Sequence, residues 1–139
     1  MSIQKIREDH ADLVKILHRL EAAIGAPTPP PQVELYTLRR ELASTLIAHL
    51  KVEDWALYPR LMASGDPEVA ATAKAFSEEM GGLGAAFGDY AKKWDATTIA
   101  TDWQGFCSDS RAIIAALTSR ITRENRELLP LADRLDRAA

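Results

Sequence analysis

Residues 49–59 read HLKVEDWALYP, and 71 positions further along the chain residues 120–130 read RITRENRELLP. Both segments place a glutamate four residues after their first position and end in a proline. At an offset of 70, residues 8–13 correspond in the same way to residues 78–83. The chain therefore consists of a repeated unit, and equivalent positions of the two copies should meet near a pseudo-twofold axis.

Apolar residues around these segments recur at spacings of three, four and seven, which is the pattern of amphipathic helices. Breaks fall where proline, glycine, threonine and aspartate accumulate, at residues 26–31, 64–67 and 97–102. The spacing predicts helices over residues 3–24, 32–62, 67–94 and 103–137. Asp66 and Asp102 are suited to cap the third and fourth helices. Pro59 and Pro130 should kink their helices or mark the last turns.

Short connections between long helices favour antiparallel neighbours, and no stretch shows the sustained alternation of a β-strand. The predicted fold is all-α, an up-down-up-down antiparallel four-helix bundle. The length of 139 residues fits one domain, residues 1–139. That domain would be built from two repeated hairpins, about residues 1–63 and 67–139.

Composition narrows the possible partners and the location. The net charge is −3 with acidic and basic residues interspersed, which is no footprint for nucleic acid. No apolar run approaches the roughly 20 residues of a membrane span, and the first residues lack the apolar core of a secretory signal. Cys107 is the only cysteine, so no internal disulfide forms, and it is interpreted as a small buried residue. These features predict a cytoplasmic protein with no nucleic-acid or membrane partner.

Loop positions place four side chains at one level of the predicted bundle. His10 lies about 18 residues before the centre of the first loop and His49 about 20 residues after it, so equal rise brings them together. The same argument around the second loop pairs Met80 with Arg120. A glutamate follows one turn after His49 and one turn after Arg120, on the same helix faces.

This layer carries groups that bind metal. The first hairpin supplies His10, His49 and Glu53, and two imidazoles with one carboxylate suit ferrous iron with open coordination positions. Glu124, from the second hairpin, would add a second carboxylate.

These positions resemble the pattern of the hemerythrin-like HHE family. That family is a four-helix bundle with a non-heme di-iron centre, held by a histidine in helix one, His-x-x-x-Glu in helix two, a histidine in helix three and His-x-x-x-Glu in helix four. The match extends over nearly the whole chain. The resemblance implies that His10, His49, Glu53 and Glu124 are metal ligands. It also implies a role in binding or sensing iron, dioxygen or a related small molecule.

Two family ligands are replaced in this chain. The histidine of helix three falls on Met80, or on Gly81 if the register slips by one, and the histidine of helix four falls on Arg120. Both replacements lie in the second hairpin, which in the family mainly supplies one of the two irons. The resemblance thus implies an incomplete di-iron site that holds at most one iron, and Met80 is interpreted as core packing.

Two hypotheses from different classes follow. The first is a domain that retains one non-heme iron. The second is a metal-free bundle that acts as a structural or regulatory interaction module, with Arg120 buried as a fixed cation between Glu53 and Glu124. An Arg120 that faced solvent would favour the first hypothesis. A mononuclear iron enzyme is less favoured, because the sequence identifies no substrate pocket. The sequence also identifies no protein partner.

Overall fold

The computed structural model describes residues 2–138, which form a bundle of helices without a β-strand in that range. The helices are α1 (Ile3–Gly25), α2 (Gln32–Val52), α3 (Tyr58–Met62), α4 (Pro67–Met80), α5 (Leu83–Lys93), α6 (Ala96–Thr101), α7 (Trp103–Arg123) and α8 (Leu129–Ala138). Two short π-helical segments join successive helices: the first π-bulge (Glu53–Leu57) links α2 to α3, and the second π-bulge (Glu124–Leu128) links α7 to α8. The predicted all-α bundle is confirmed, and the order of helix directions stays a prediction. None of the helices within residues 2–138 is long and apolar enough to cross a lipid bilayer.

Helix starts follow from capping side chains. The Asp66 carboxylate accepts hydrogen bonds from two backbone N–H groups in the first turn of α4, and Pro67 is the first residue of that helix. Asp102 accepts from the backbone N–H of Gly105 at the start of α7. Both predicted caps are confirmed.

The predicted third helix is wrong in its middle, and the break predicted after it is wrong as well. It breaks at residues 81–82, which separate α4 from α5, because two consecutive glycines are poor helix formers. Residues 97–102, predicted as a break, lie largely within α6. That short helix begins because the Asp95 side chain accepts a hydrogen bond from the Thr98 backbone N–H at 2.8 Å.

Both prolines act through the π-bulges. Proline has no N–H, and its ring would clash with the carbonyl four residues earlier, so the turn before it widens. The Tyr58 N–H bonds to the carbonyl of Glu53, five residues back, just before Pro59. In the second copy the Leu129 N–H bonds to the carbonyl of Glu124. The repeat seen in the sequence is thus a repeat of backbone geometry as well.

The core is divided into two apolar clusters, as α1 illustrates. Ile3 and Ile6 belong to the smaller cluster, whereas Leu13 and the later buried residues of α1 belong to the larger one. His10 lies between them, and α1 contacts both α2 and α7. The other members of the smaller cluster are Leu57, Tyr58, Leu61, Val69, Ala73, Phe76, Leu128, Leu129 and Ala132.

Single side chains outside the site are placed as follows. Cys107 is buried, as expected, and burial raises the pKa of its thiol. His18 is exposed, and Trp55 is 74% exposed. It lies within the first π-bulge on the solvent side, where the Lys51 ammonium is 5.6 Å from its ring centre.

The break between α4 and α5 gives a first prediction. A methyl group at Gly81 would overlap the Ser77 carbonyl oxygen, whereas a methyl group at Gly82 would meet nothing within 4 Å. We expect Gly81→Ala to lower the free energy of unfolding by about 1–3 kcal/mol, because the overlap forces the backbone to shift. Gly82→Ala should be neutral or raise it by up to about 1 kcal/mol, because alanine tolerates that backbone conformation. Urea denaturation of both variants measures this, and equal effects would contradict it.

Candidate metal centre

Four buried side chains converge between the two apolar clusters. α1 supplies His10, α2 supplies His49, and the two π-bulges begin with Glu53 and Glu124. Each of the four residues is at most 4% exposed. One ligand atom from each lies within 4.8 Å of one from every other member. The residues that the sequence predicted as ligands are therefore brought together.

The backbone explains why the glutamates face inward. The Glu53 N–H still bonds to the carbonyl of His49, so Glu53 keeps the helical register of α2 and shares its buried face with His49. The widened turn begins only after this position. In the second copy Glu124 bonds to the carbonyl of Arg120 in the same way, so each bulge leaves its glutamate aligned with the residue one turn earlier.

The inner atoms of the cluster are close together. The Nε2 atom of His10 lies 3.0 Å from Oε2 of Glu53 and 3.1 Å from Oε1 of Glu124. The Nε2 atom of His49 lies 2.9 Å from the same Glu53 oxygen. Both imidazoles therefore direct Nε2 toward one oxygen of a carboxylate.

The outer nitrogens of both rings face oxygen acceptors. The Nδ1 atom of His10 is 2.7 Å from Oδ1 of Asn125, and the Nδ1 atom of His49 is 3.6 Å from Oδ2 of Asp9. A proton on Nδ1 leaves the lone pair of Nε2 free to point into the cluster. This is how metal-binding histidines are usually oriented by groups outside the metal site.

Several buried atoms of the cluster lack a hydrogen bond to any described residue. They are both ring nitrogens of His49 and Oε1 of Glu124. The contacts above bring oxygen and nitrogen close, but at these atoms the angles are not those of hydrogen bonds. Buried polar atoms without partners are unfavourable, and a cation between them would satisfy their lone pairs. Two imidazoles and two carboxylates are a donor set that fits one divalent transition metal.

Arg120 points into the protein and is 2% exposed, so the solvent-facing alternative is wrong. Its Nη2 atom lies 3.0 Å from Oε1 of Glu53 and 2.8 Å from Oδ1 of Asp54. Its Nε atom lies 3.3 Å from Oε2 of Glu124. The predicted pairing with both glutamates is confirmed. Each glutamate thus directs one oxygen toward a histidine and the other toward Arg120.

Met80 is partly buried against the smaller apolar cluster, which agrees with its interpretation as packing. Its backbone, however, has a further role. The carbonyl oxygen of Met80, at the end of α4, accepts a hydrogen bond from Nη1 of Arg120 at 3.2 Å. Carbonyls in the last turn of a helix lack partners within the helix and attract positive charge. The two residues that replace family ligands therefore contact each other.

Comparison with protein families gives a match to the hemerythrin HHE cation-binding domain over residues 1–132. The chain belongs to this family. Searches of curated proteins and of solved structures found no match to this chain. The match confirms the resemblance, and the family's cation-binding chemistry agrees with the cluster of histidines and glutamates.

The sequence did not identify three side chains that support the site of this HHE domain. Asn125 and Asp9 face the outer histidine nitrogens, and the Tyr58 hydroxyl donates a hydrogen bond to Oε2 of Glu124 at 2.5 Å. The ring of Tyr58 also lies 5.4 Å from the guanidinium carbon of Arg120. Tyr58 corresponds to the apolar Leu129 at the repeat offset of 71. This difference between the two copies was the available signal for a role of Tyr58.

Burial and hydrogen bonding shift the pKa of the carboxylates in opposite directions. Burial would raise the pKa of Glu53, but the close contacts with His10, His49 and Glu124 outweigh it and hold that pKa well below its usual range. Burial, together with the neighbouring Glu53 charge, raises the pKa of Glu124 despite its contacts with His10 and Arg120. Glu53 is therefore the more strongly ionised partner of the pair.

The cationic and phenolic groups of this HHE domain also have shifted pKa values. Burial lowers the pKa of His10, but its contacts with Glu124, Glu53 and Asn125 outweigh it and raise the pKa to about 10. Burial and the Glu124 charge raise the pKa of Tyr58, so its hydroxyl remains a donor. The carboxylates around Arg120 raise its pKa further in spite of burial.

Proposed function

We propose that this HHE domain binds one divalent metal ion, ferrous iron by the chemistry of its family, through His10, His49, Glu53 and Glu124. The proposed role is to bind or sense iron, dioxygen or a related small molecule. The observation that supports it is the convergence of four buried ligand atoms within 4.8 Å, among them nitrogens of His49 that have no hydrogen bond.

The protein's part in this function is to hold and shield the ion. The imidazoles would supply neutral nitrogen donors and the carboxylates would supply negative charge. Apolar clusters lie on both sides of the layer, and its four proposed ligands are at most 4% exposed. A bound ferrous ion with open positions would supply the place where a small molecule attaches.

A single ion is proposed because Arg120 occupies the position at which a second ion would need its ligands. A guanidinium keeps its charge at every accessible pH and repels a cation. It already contacts the outer oxygens of Glu53 and Glu124, which are the atoms that a second ion would require. The cytoplasmic location stays a prediction, and so does the division of the single domain into two hairpins.

The competing function is a metal-free interaction module, and one observation favours it. Arg120 contacts three carboxylates and one backbone carbonyl, so part of the buried negative charge is compensated without any metal. In this alternative the bundle would fold equally well in the presence of a chelator.

The deciding experiment is metal loading with a matched pair of variants. Protein purified without added metal is incubated anaerobically with Fe(II), desalted, and measured by elemental analysis. We expect about one iron per chain in the natural protein and in His18→Ala, whose histidine is exposed on the same helix as His10. His49→Ala should lose the iron, because it removes a ligand from α2.

Two outcomes would contradict the proposal. About two irons per chain, retained in His49→Ala, would mean that other ligands bind the metal. No iron, together with thermal stability that is the same in chelator and in Fe(II), would support the metal-free module.

The contact between Asn125 and His10 gives a further prediction. Removing the group that orients a metal-binding histidine usually weakens metal binding by about 10–100-fold. We therefore expect Asn125→Ala to lower the affinity for Fe(II) or Zn(II) by that factor, measured by titration against a competing chelator. Asn125→Asp keeps an oxygen acceptor at the same position and should retain at least the natural affinity for a divalent ion. Equal affinities in all three proteins would contradict the proposed orientation of His10.

A further inference from the structure

We propose that the charge of this site selects divalent ions over trivalent ones, so that bound iron is held in the ferrous state. This inference rests on the proposed function. The inference follows from Arg120, which stands where the family pattern has a histidine ligand, and from the carboxylates that contact Arg120.

The charges that share ion-pair contacts around the cluster can be counted. Glu53, Glu124 and Asp54 each contribute one negative charge, and Arg120 contributes one positive charge, which gives −2. The two histidines are neutral when they act as ligands. A divalent ion therefore brings the cluster to zero, whereas a trivalent ion leaves it at +1.

Other charged groups nearby are either paired or screened by water. Asp9, which faces His49, forms an ion pair with Lys5 at 2.9 Å. Arg123, one turn after Arg120, pairs with Glu79 and with Glu127 at the surface, and this set carries a net charge of −1. The side chains of Glu79 and Glu127 are more than half exposed, so water screens that charge from the ion.

Burial makes this difference of one charge important. Glu53 and Glu124 are 0% exposed and Arg120 is 2% exposed, so water screens these three charges poorly, whereas the Asp54 side chain is 32% exposed. An uncompensated charge in such surroundings is strongly unfavourable.

The positive charge is also fixed in place. Arginine does not lose its proton in proteins. The Arg120 guanidinium donates to Glu53, Asp54, Glu124 and the carbonyl of Met80, so it is held from all sides and cannot swing away when an ion enters. Charge selection is therefore a permanent property of the site.

The test compares two ions that do not change oxidation state, Zn(II) and Ga(III). Each is titrated into metal-free protein at matched free concentrations set by a citrate buffer. Bound metal is measured by elemental analysis after desalting, and stability by thermal unfolding. We expect one Zn(II) per chain with a raised Tm, lost in His49→Ala, and no stoichiometric Ga(III) with no change in Tm.

Zn(II) and Ga(III) also differ in preferred geometry, so a charge variant separates the two causes. Asn125→Asp keeps the size and the acceptor that faces His10 but changes the cluster from −2 to −3. We expect it to narrow the preference for Zn(II) over Ga(III) by about tenfold, since about 1.4 kcal/mol of altered charge interaction corresponds to that factor. Arg120→Gln should also narrow the preference for Zn(II) over Ga(III), and it provides a second test of charge if the variant folds.

Each outcome decides something. Zn(II) binding with a preference that narrows in Asn125→Asp supports the inference. Equal binding of both ions by the natural protein, or a preference that Asn125→Asp leaves unchanged, would overturn charge selection while leaving metal binding intact. Binding of neither ion would overturn the proposed function together with the inference.

Discussion

Arg120→Leu is expected to lower the free energy of unfolding of the metal-free protein by about 3–5 kcal/mol, because it removes one partner from a buried ion-pair network. The change leaves Glu53 and Glu124, both fully buried, without their shared cation. It also leaves the Met80 carbonyl at the end of α4 without its donor. Chemical denaturation in a chelator measures the loss.

Arg123→Leu is the matched control for this variant. It makes the same substitution on α7, but the Arg123 side chain is 36% exposed and pairs with Glu79 and Glu127 at the surface. Exposed ion pairs contribute about 0–1 kcal/mol, so little change is expected. Equal losses in the two variants would mean that Arg120 is no more important to folding than a surface arginine.

Glu53→Gln is expected to weaken the binding of Fe(II) or Zn(II) by at least about 100-fold while the metal-free fold is retained. Glu53 is the one carboxylate that contacts both histidines and Arg120. A glutamine can still accept a hydrogen bond from Arg120, but its amide group replaces a charged ligand oxygen. Losing a ligand should exceed the 10–100-fold effect of losing a group that merely orients one.

The stability of the same variant provides the contrast with Arg120→Leu. The glutamine oxygen still accepts a hydrogen bond from Arg120, but its amide NH2 replaces the oxygen that faces both histidines. The free energy of unfolding without metal should therefore fall by about 1–3 kcal/mol, less than for Arg120→Leu. Glu127→Gln, on the exposed side of the second π-bulge, should alter neither property. Metal affinity that stayed unchanged in Glu53→Gln would remove Glu53 from the ligand set.

The positions of His10, His49, Glu53 and Glu124 could be predicted because they depend on regular quantities. The repeat fixed which residues are equivalent, and the constant rise of a helix placed the histidines at one level. The burial of Arg120 was left open, because a sequence does not state which way an arginine points when its helix carries charged residues on several faces. Its direction became clear only from Asp54 and the Met80 carbonyl, which lie on two other elements.

The supporting residues were missed for a related reason. Tyr58 reaches Glu124 only because the first π-bulge changes the register of the residues after Glu53, and Asn125 follows directly on the start of the second. A regular helical wheel does not include such an insertion. Similarly, the spacing of apolar residues predicted a continuous third helix, because periodicity does not register two glycines that end α4 at Met80.

The two π-bulges limit how this chain can change in length. Each is equivalent to one residue inserted into an α-helix, and both copies of the repeat carry the insertion at the same position. Deleting one residue from a single bulge would turn everything beyond it by about 100° about the helix axis. Leu57 and Leu61 would then leave the smaller apolar cluster while the second copy stayed in phase. Insertions and deletions between each glutamate and its proline are therefore expected to be strongly unfavourable, even where a substitution at the same position is tolerated.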